Sequence, residues 1–230
     1  MNRSVFVSYA TRDLVRARVQ SQLDATLERS AASRLLVLVL ESHRKTWALV
    51  GGAPRVWATG VGEPNDLDIV VGGTRGDVDR VVAAWESRVP PGATVERTKL
   101  GGYRLRSCDC VLDVWAAPAT VAIAADRVQD SKRYRAIAKS AALSLDSLVL
   151  TSEGTLYDHG FFRSIQTGTL QLNHSRVERQ DKVLTKARRL CEVYGLKPDL
   201  ALQGLLAQRK ENTDIVPLLQ LSFDWTADNQ

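Results

Sequence analysis

The sequence predicts an α+β fold, an N-terminal unit that mixes strands and helices followed by a small helical C-terminal unit. Three observations predict it. Short apolar runs bounded by turn residues alternate with helically spaced segments over residues 1–140. Gly-Gly and Pro-Pro-Gly punctuation separates them. Beyond Ala136 the apolar spacing becomes mostly helical, which places the second unit at residues 141–230.

Each element has its own signal. Val15, Val19, Leu23 and Leu27 recur every four residues and predict a first amphipathic helix. Ser33 to Ser42 is a second apolar segment, helix or strand. Trp47 to Val50 is a short strand stopped by Gly51-Gly52, and a loop with Gly60, Gly62 and Pro64 follows. Leu67 to Val71 is the next strand, ended by Gly72-Gly73. Asp77 to Arg88 carries Val78, Val81, Val82 and Trp85 on one helical face. Thr94–Thr98, Tyr103–Ser107 and Cys110–Trp115 read as strands, with Gly101-Gly102 as a turn between the first two. Ser147 to Tyr157 reads as a hairpin turning at Glu153-Gly154. Arg179 to Tyr194 is a strong amphipathic helix stopped by Gly195 and Pro198. Leu200–Arg209 and Thr213–Leu221 read as two further helices.

Composition bounds the class. Of 230 residues 44% are hydrophobic and 25% charged, enough for a sizeable core. The longest apolar run, Leu35 to Leu40, is far short of the roughly 20 residues that span a bilayer, so no membrane partner is expected. The opening MNRSVFVSYATRD reaches Asp13 before a signal-like apolar core forms, which predicts a cytoplasmic protein. Cys108, Cys110 and Cys191 have neither bridge nor zinc-knuckle spacing and read as reduced thiols. A net charge of +5 suits a phosphate-bearing partner.

The chemistry is concentrated in Trp47 to Val71. Glycines at positions 51 and 52 let backbone amides approach phosphate oxygens without a Cβ in the way, and Arg55 follows as a candidate phosphate partner. Asp66 and Asp68 stand two apart at the start of a strand. Alternation puts both on one face, about 6.6 Å apart along the backbone. That suits a shared divalent site, in which two metals lie about 3.5–4 Å apart. Asp113 is an isolated acid inside the apolar run Val111 to Trp115, costly there unless it is paired or ligates a metal. If its strand lies beside that of Asp66 and Asp68, the three acids form one cluster. Asp109 shares the parity of Asp113 and is the weaker candidate. Arg179, Lys182, Lys186 and Arg189, at 3-4-3 spacing, form one basic helix face, a candidate for RNA or phosphate contacts; a solvated face is the plainer reading. The tryptophans at 47, 57, 85 and 115 read as core, with Trp57 the one that also suits a stacking role.

These residues resemble the polymerase β-type nucleotidyltransferases, and most of all the head and neck of bacterial poly(A) polymerases and class II CCA-adding enzymes. Val50-Gly51-Gly52-Ala53-Pro54-Arg55 is similar to the family's V-G-G-x-V-R turn. Ser144 to Val149 and Gly154-Thr155-Leu156-Tyr157-Asp158 are similar to its N-A-L and G-x-L-x-D elements. The resemblance covers about residues 35 to 195. It implies a mixed sheet with flanking helices, NTP as substrate and two Mg2+ (or Mn2+) ions. In that chemistry Asp66 and Asp68 bind both metals and Asp113 the catalytic one. Gly51, Gly52 and Arg55 contact the nucleotide, and an acceptor hydroxyl, such as that of an RNA 3′ end, attacks the α-phosphate with release of pyrophosphate.

The departures are specific. The family's Arg-Arg-Asp falls near Ser140-Ala141-Ala142, its N-A-L asparagine is Asp146, and its base-selecting E-D-x-x-R has no counterpart. A catalytically degenerate nucleotide- or RNA-binding module is therefore the rival reading, with a small molecule or a protein as rival acceptors. The enzyme reading makes one geometric demand: Asp113 must converge with Asp66 and Asp68, and must not be buried against a lysine or arginine.

Overall fold

The computed structural model describes residues 11–99, 101–120, 133–173 and 180–215. Among the described residues two helices precede the first strand. α1 (Arg12–Arg29) starts where the Thr11 hydroxyl accepts from the Leu14 amide. α2 (Ala31–Ser42) starts at Ser30, whose side chain accepts from the Ser33 amide and resolves the 33–42 segment as helix. β1 (Trp47–Val50) then leads directly into α3 (Gly52–Thr59). The sequence reads α3 as part of a glycine loop. Gly51 turns the chain at φ 77° and Gly60 closes the helix in the left-handed region, so the glycines bracket a helix of two turns.

β2 (Leu67–Val71), α4 (Arg75–Glu86), β3 (Thr94–Arg97), β4 (Tyr103–Arg106) and β5 (Val111–Ala116) follow. α5 (Arg133–Ser140), β6 (Val149–Thr151) and β7 (Leu156–Tyr157) complete the sheet region. Among the described residues the sheet has seven strands in the order β3-β4-β5-β2-β1-β6-β7. It is mixed: β2 and β5 run parallel at its centre and the other pairs are antiparallel. The 147–157 hairpin is β6–β7, which extends the same sheet on the far side of β1.

The central strands are buried on both faces, which is why β1 reads as an unbroken apolar run. One face carries Leu49, Leu67, Ile69, Val71, Leu112 and Val114 against α1, α2 and α4. At its heart Trp85 is fully buried, and its indole N–H donates to the Ala32 carbonyl at 2.9 Å. The other face carries Ala48, Val50 and Val70 beneath Ile137 and Ala138 of α5. α4 begins with a capping box between Thr74 and Asp77. The Asp77 carboxylate also accepts from Lys45 at 2.8 Å and Arg80 at 2.6 Å, and these partners hold it well below the ordinary carboxylate range, Lys45 contributing most.

Beyond the sheet lie α6 (Phe161–Thr167), β8 (Thr169–Leu170), α7 (Gln180–Tyr194), β9 (Lys197–Pro198) and α8 (Leu200–Ile215). β8 and β9 form a short parallel pair. The two helices expected from Leu200 are one as far as Ile215, because Lys210-Glu211-Asn212 holds no glycine or proline to end it. The remainder of the Thr213–Leu221 prediction, the opening decapeptide and Arg179 lie outside the described residues.

Candidate active site

The parallel pairing of β2 with β5 sets Asp68 directly beside Asp113. Alternation from Asp68 puts Asp66, just before β2, on the same face. The three acids thus occupy one end of the central strands, on the face that farther along becomes the second apolar cluster. Asp68 registers the crowding. Burial, then the charges of Asp66 and Asp113, raise its pKa from 3.8 to about 7, while Lys186 pulls the other way. Gly51 lies against it: a Cβ at position 51 would collide with the Asp68 carboxylate. Together with its positive φ, that contact restricts the position to glycine.

The structure adds a residue that sequence reasoning missed. Arg104 stands opposite Asp113 in the β4–β5 ladder. Its Nε donates to Asp113 Oδ1 at 2.7 Å and its Nη2 to the other carboxylate oxygen, a two-pronged pair. Nη2 also lies 3.7 Å from Asp66 Oδ2. The register sets Asp113 beside Asp68, but its carboxylate is paired with an arginine, the arrangement that counts against the demand made of it. The pair is not sealed: the Arg104 side chain is 34% exposed and that of Asp113 18%. β4–β5 register was the available signal, since the short turn at 107–110 places position 104 across from 113.

The glycine turn and α7 wall a cleft of about 940 Å³ that opens onto Asp66 and Asp68. Gly52, Arg55, Lys182, Lys186 and Arg189 line it, so the described part of the basic row faces the acids across open space. Leu184, Ala187 and Leu190, on the adjoining face of α7, are buried and fix that orientation. Arg55 is committed elsewhere: its guanidinium pairs with Asp146, which also binds Lys186 Nζ at 2.8 Å. Both Arg55 and Asp146 are about nine-tenths buried, so this network ties α3, the 144–146 turn and α7 together. Asp146 stands where the resembling family has asparagine, and its charge gives the two cations a partner. Trp57 is buried in the core, which leaves it no stacking face.

Carboxylate oxygens are the donors that Mg2+ and Mn2+ take. Burial first, then the neighbouring acids, disfavour the Asp68 carboxylate, and a bound cation would offset both. Among the described residues, however, no group of three or more such side chains is arranged to hold a metal ion, and the Asp113 carboxylate is taken up by Arg104.

This fold, a mixed sheet with flanking helices, is shared with solved CCA-adding enzymes and a tRNA nucleotidyltransferase. The solved structures it matches are specific. A CCA-adding enzyme solved with CTP superposes with TM-score 0.61 and 18% identity, covering 86% of this chain and 47% of that one. A Thermotoga maritima CCA-adding enzyme complexed with tRNA gives 0.59 and 18%, over 86% and 46%. A tRNA nucleotidyltransferase with a primer tRNA and an incoming ATP analogue gives 0.56 and 18%, over 77% and 50%. The chain thus spans about half the length of each. No family model and no curated protein matches it. Among the described residues no helix is long and apolar enough to cross a membrane.

Proposed function

We propose that this protein is a metal-dependent nucleotidyltransferase that moves NMP from an NTP to an acceptor hydroxyl. The observation that carries the reading is the placement of Asp68, a half-buried acid beside Asp113 in register and two residues after Asp66, at the mouth of a cation-lined cleft. A degenerate module gains nothing from keeping these acids together, a crowding that costs stability in the folded chain.

Asp66, Asp68 and Asp113 would hold two Mg2+ or Mn2+ ions. Bound there, these supply the Lewis acidity that activates the acceptor hydroxyl and steadies the pyrophosphate leaving group. The chain's own residues do the rest. Lys182, Lys186 and Arg189 offer charge-assisted donors to the triphosphate from one side of the cleft. The Gly51–Gly52 turn leaves room for the α-phosphate close to Asp68, and Arg55, through Asp146, fixes the turn against α7. ATP is a natural first NTP to try, since complexes with ATP and CTP are among the matching structures. An RNA 3′ end is the favoured acceptor, on the net charge of +5 and on the tRNA complexes of the matching enzymes. Free cysteines throughout agree with a cytoplasmic protein.

The test is incubation with Mg2+, α-labelled NTPs and separated RNA, protein and metabolite pools. Transfer to one pool, abolished by Asp66→Ala and by Asp68→Ala, is the expected result. Nucleotide binding without transfer to any pool overturns the proposal in favour of a binding module.

A further inference from the structure

We propose that a second cavity, on the β3–β4 side of the sheet, seats the acceptor, and that Trp115 is the platform on which the acceptor's terminal nucleobase stacks. The inference rests on the nucleotidyltransferase reading and names the part of the acceptor that the chain grips.

Three observations carry it. First, Trp115 stands apart from the other described tryptophans. Trp47, Trp57 and Trp85 are buried, whereas Trp115 is half-buried. It packs against the second apolar cluster and also lines the cavity, which measures about 660 Å³. Its indole N–H donates to the Thr120 hydroxyl at 3.1 Å and so fixes the ring before any ligand arrives.

Second, the position across from Trp115 is bare. β4 and β5 pair Tyr103 with Val114, and the next step of that register sets Gly102 beside Trp115. A Cβ at position 102 would lie 2.7 Å from the Val114 carbonyl oxygen and 2.8 Å from the Trp115 Cβ. No side chain from that position can therefore fill the cavity. The Gly102 amide donates to the Thr98 hydroxyl at 3.1 Å, which holds the turn in place.

Third, charge and location choose the occupant. Asp68, Glu96 and Asp113 are matched around the cavity by Arg97, Lys99 and Arg104. That balance gives an anion no net attraction and suits an uncharged ring with polar edges. Asp68 lines both this cavity and the nucleotide cleft. Trp115 follows Asp113 by two residues on the same face of β5, roughly 6.6 Å along the strand. The ribose of a nucleoside stacked on Trp115 spans that interval and brings its hydroxyl to the end of the sheet where the donor arrives. Stacking accepts every base, so the seat grips the acceptor without selecting its terminal letter.

The test uses 2-aminopurine riboside, an uncharged nucleoside whose emission is quenched on stacking, titrated with the full chain in the absence of NTP and metal. The wild type should quench it. Trp115→Leu should weaken binding on the order of tenfold, the scale of one lost base–aromatic stack. Trp115→Phe keeps a smaller ring and should fall between; it replaces the leucine variant if that does not fold. Adenosine and uridine should displace the probe and ribose should not. A folded Trp115→Leu chain that binds the probe as the wild type does overturns the role of Trp115, and displacement by ribose as readily as by adenosine overturns the nucleobase as occupant. Label transfer to RNA by a chain that does not quench the probe overturns the seat while the enzyme reading stands. Trp115-dependent quenching by a chain that transfers no label supports the seat and overturns the enzyme reading alone.

Discussion

Replacing Asp68 by asparagine should stabilise the protein while destroying its chemistry, and only above about pH 5. The unfolded carboxyl ionises near pH 4 and the folded one near 7. Between those values the folded chain binds more protons than the unfolded chain, so its stability falls as pH rises and levels off above 7. A shift from 3.8 to about 7 is worth up to about 4 kcal/mol at roughly 1.4 kcal/mol per unit. Asparagine keeps the shape and has no charge to bury. Asp68→Asn should therefore match the wild type in melting temperature near pH 4 and exceed it by roughly 10 °C at pH 8, taking 2–4 °C per kcal/mol for a chain of this size. Mg2+ should narrow the gap at pH 8, because it binds and stabilises the wild type alone. The assay is thermal unfolding in a pH series with and without Mg2+. A gap that does not vary with pH, or an asparagine variant less stable at pH 8, would refute the reasoning.

Other residues give sharper local outcomes. Asp146→Ala leaves the Arg55 guanidinium buried without its partner and should cost about 3–5 kcal/mol by denaturant titration, with loosened nucleotide binding; a loss under 1 kcal/mol contradicts the network. Asp77→Asn should cost about 3 kcal/mol at pH 7 through lost bonds to Lys45, Arg80 and Thr74. The wild-type advantage is present above the unfolded carboxyl pKa and disappears as pH falls through the depressed folded value, so acid unfolding curves of the two should converge at low pH. Gly51→Ala must both adopt a positive φ and displace the Asp68 carboxylate, and label transfer should drop at least about a hundredfold; near-normal transfer would show that the contact is unimportant.

Much of this architecture is legible in the chain because strand alternation is a strong local rule. Two acids spaced by two residues must share a face, and an acid within Val111 to Trp115 must be accommodated somewhere. The β2–β5 neighbour relation enters only as a condition, since nothing local specifies which strands adjoin. α3 is not legible: eight residues that begin at Gly52 and include Pro54 lack the length over which helical spacing shows, and tertiary packing of Val56 and Trp57 decides the matter. Arg104 and Asp146 are hidden for a related reason. Their partners lie 9 and 91 residues away, and only ladder register or the packed helices bring them together.

The most direct measurement is anomalous diffraction from a crystal grown with Mn2+, a non-hydrolysable ATP analogue and a short RNA. The account predicts anomalous peaks in contact with Asp66 and Asp68, one of them shared with Asp113, and triphosphate density against Lys182, Lys186 and Arg189. Triphosphate density in the cleft with no Mn2+ at these acids and Arg104 still clasping Asp113 would contradict it.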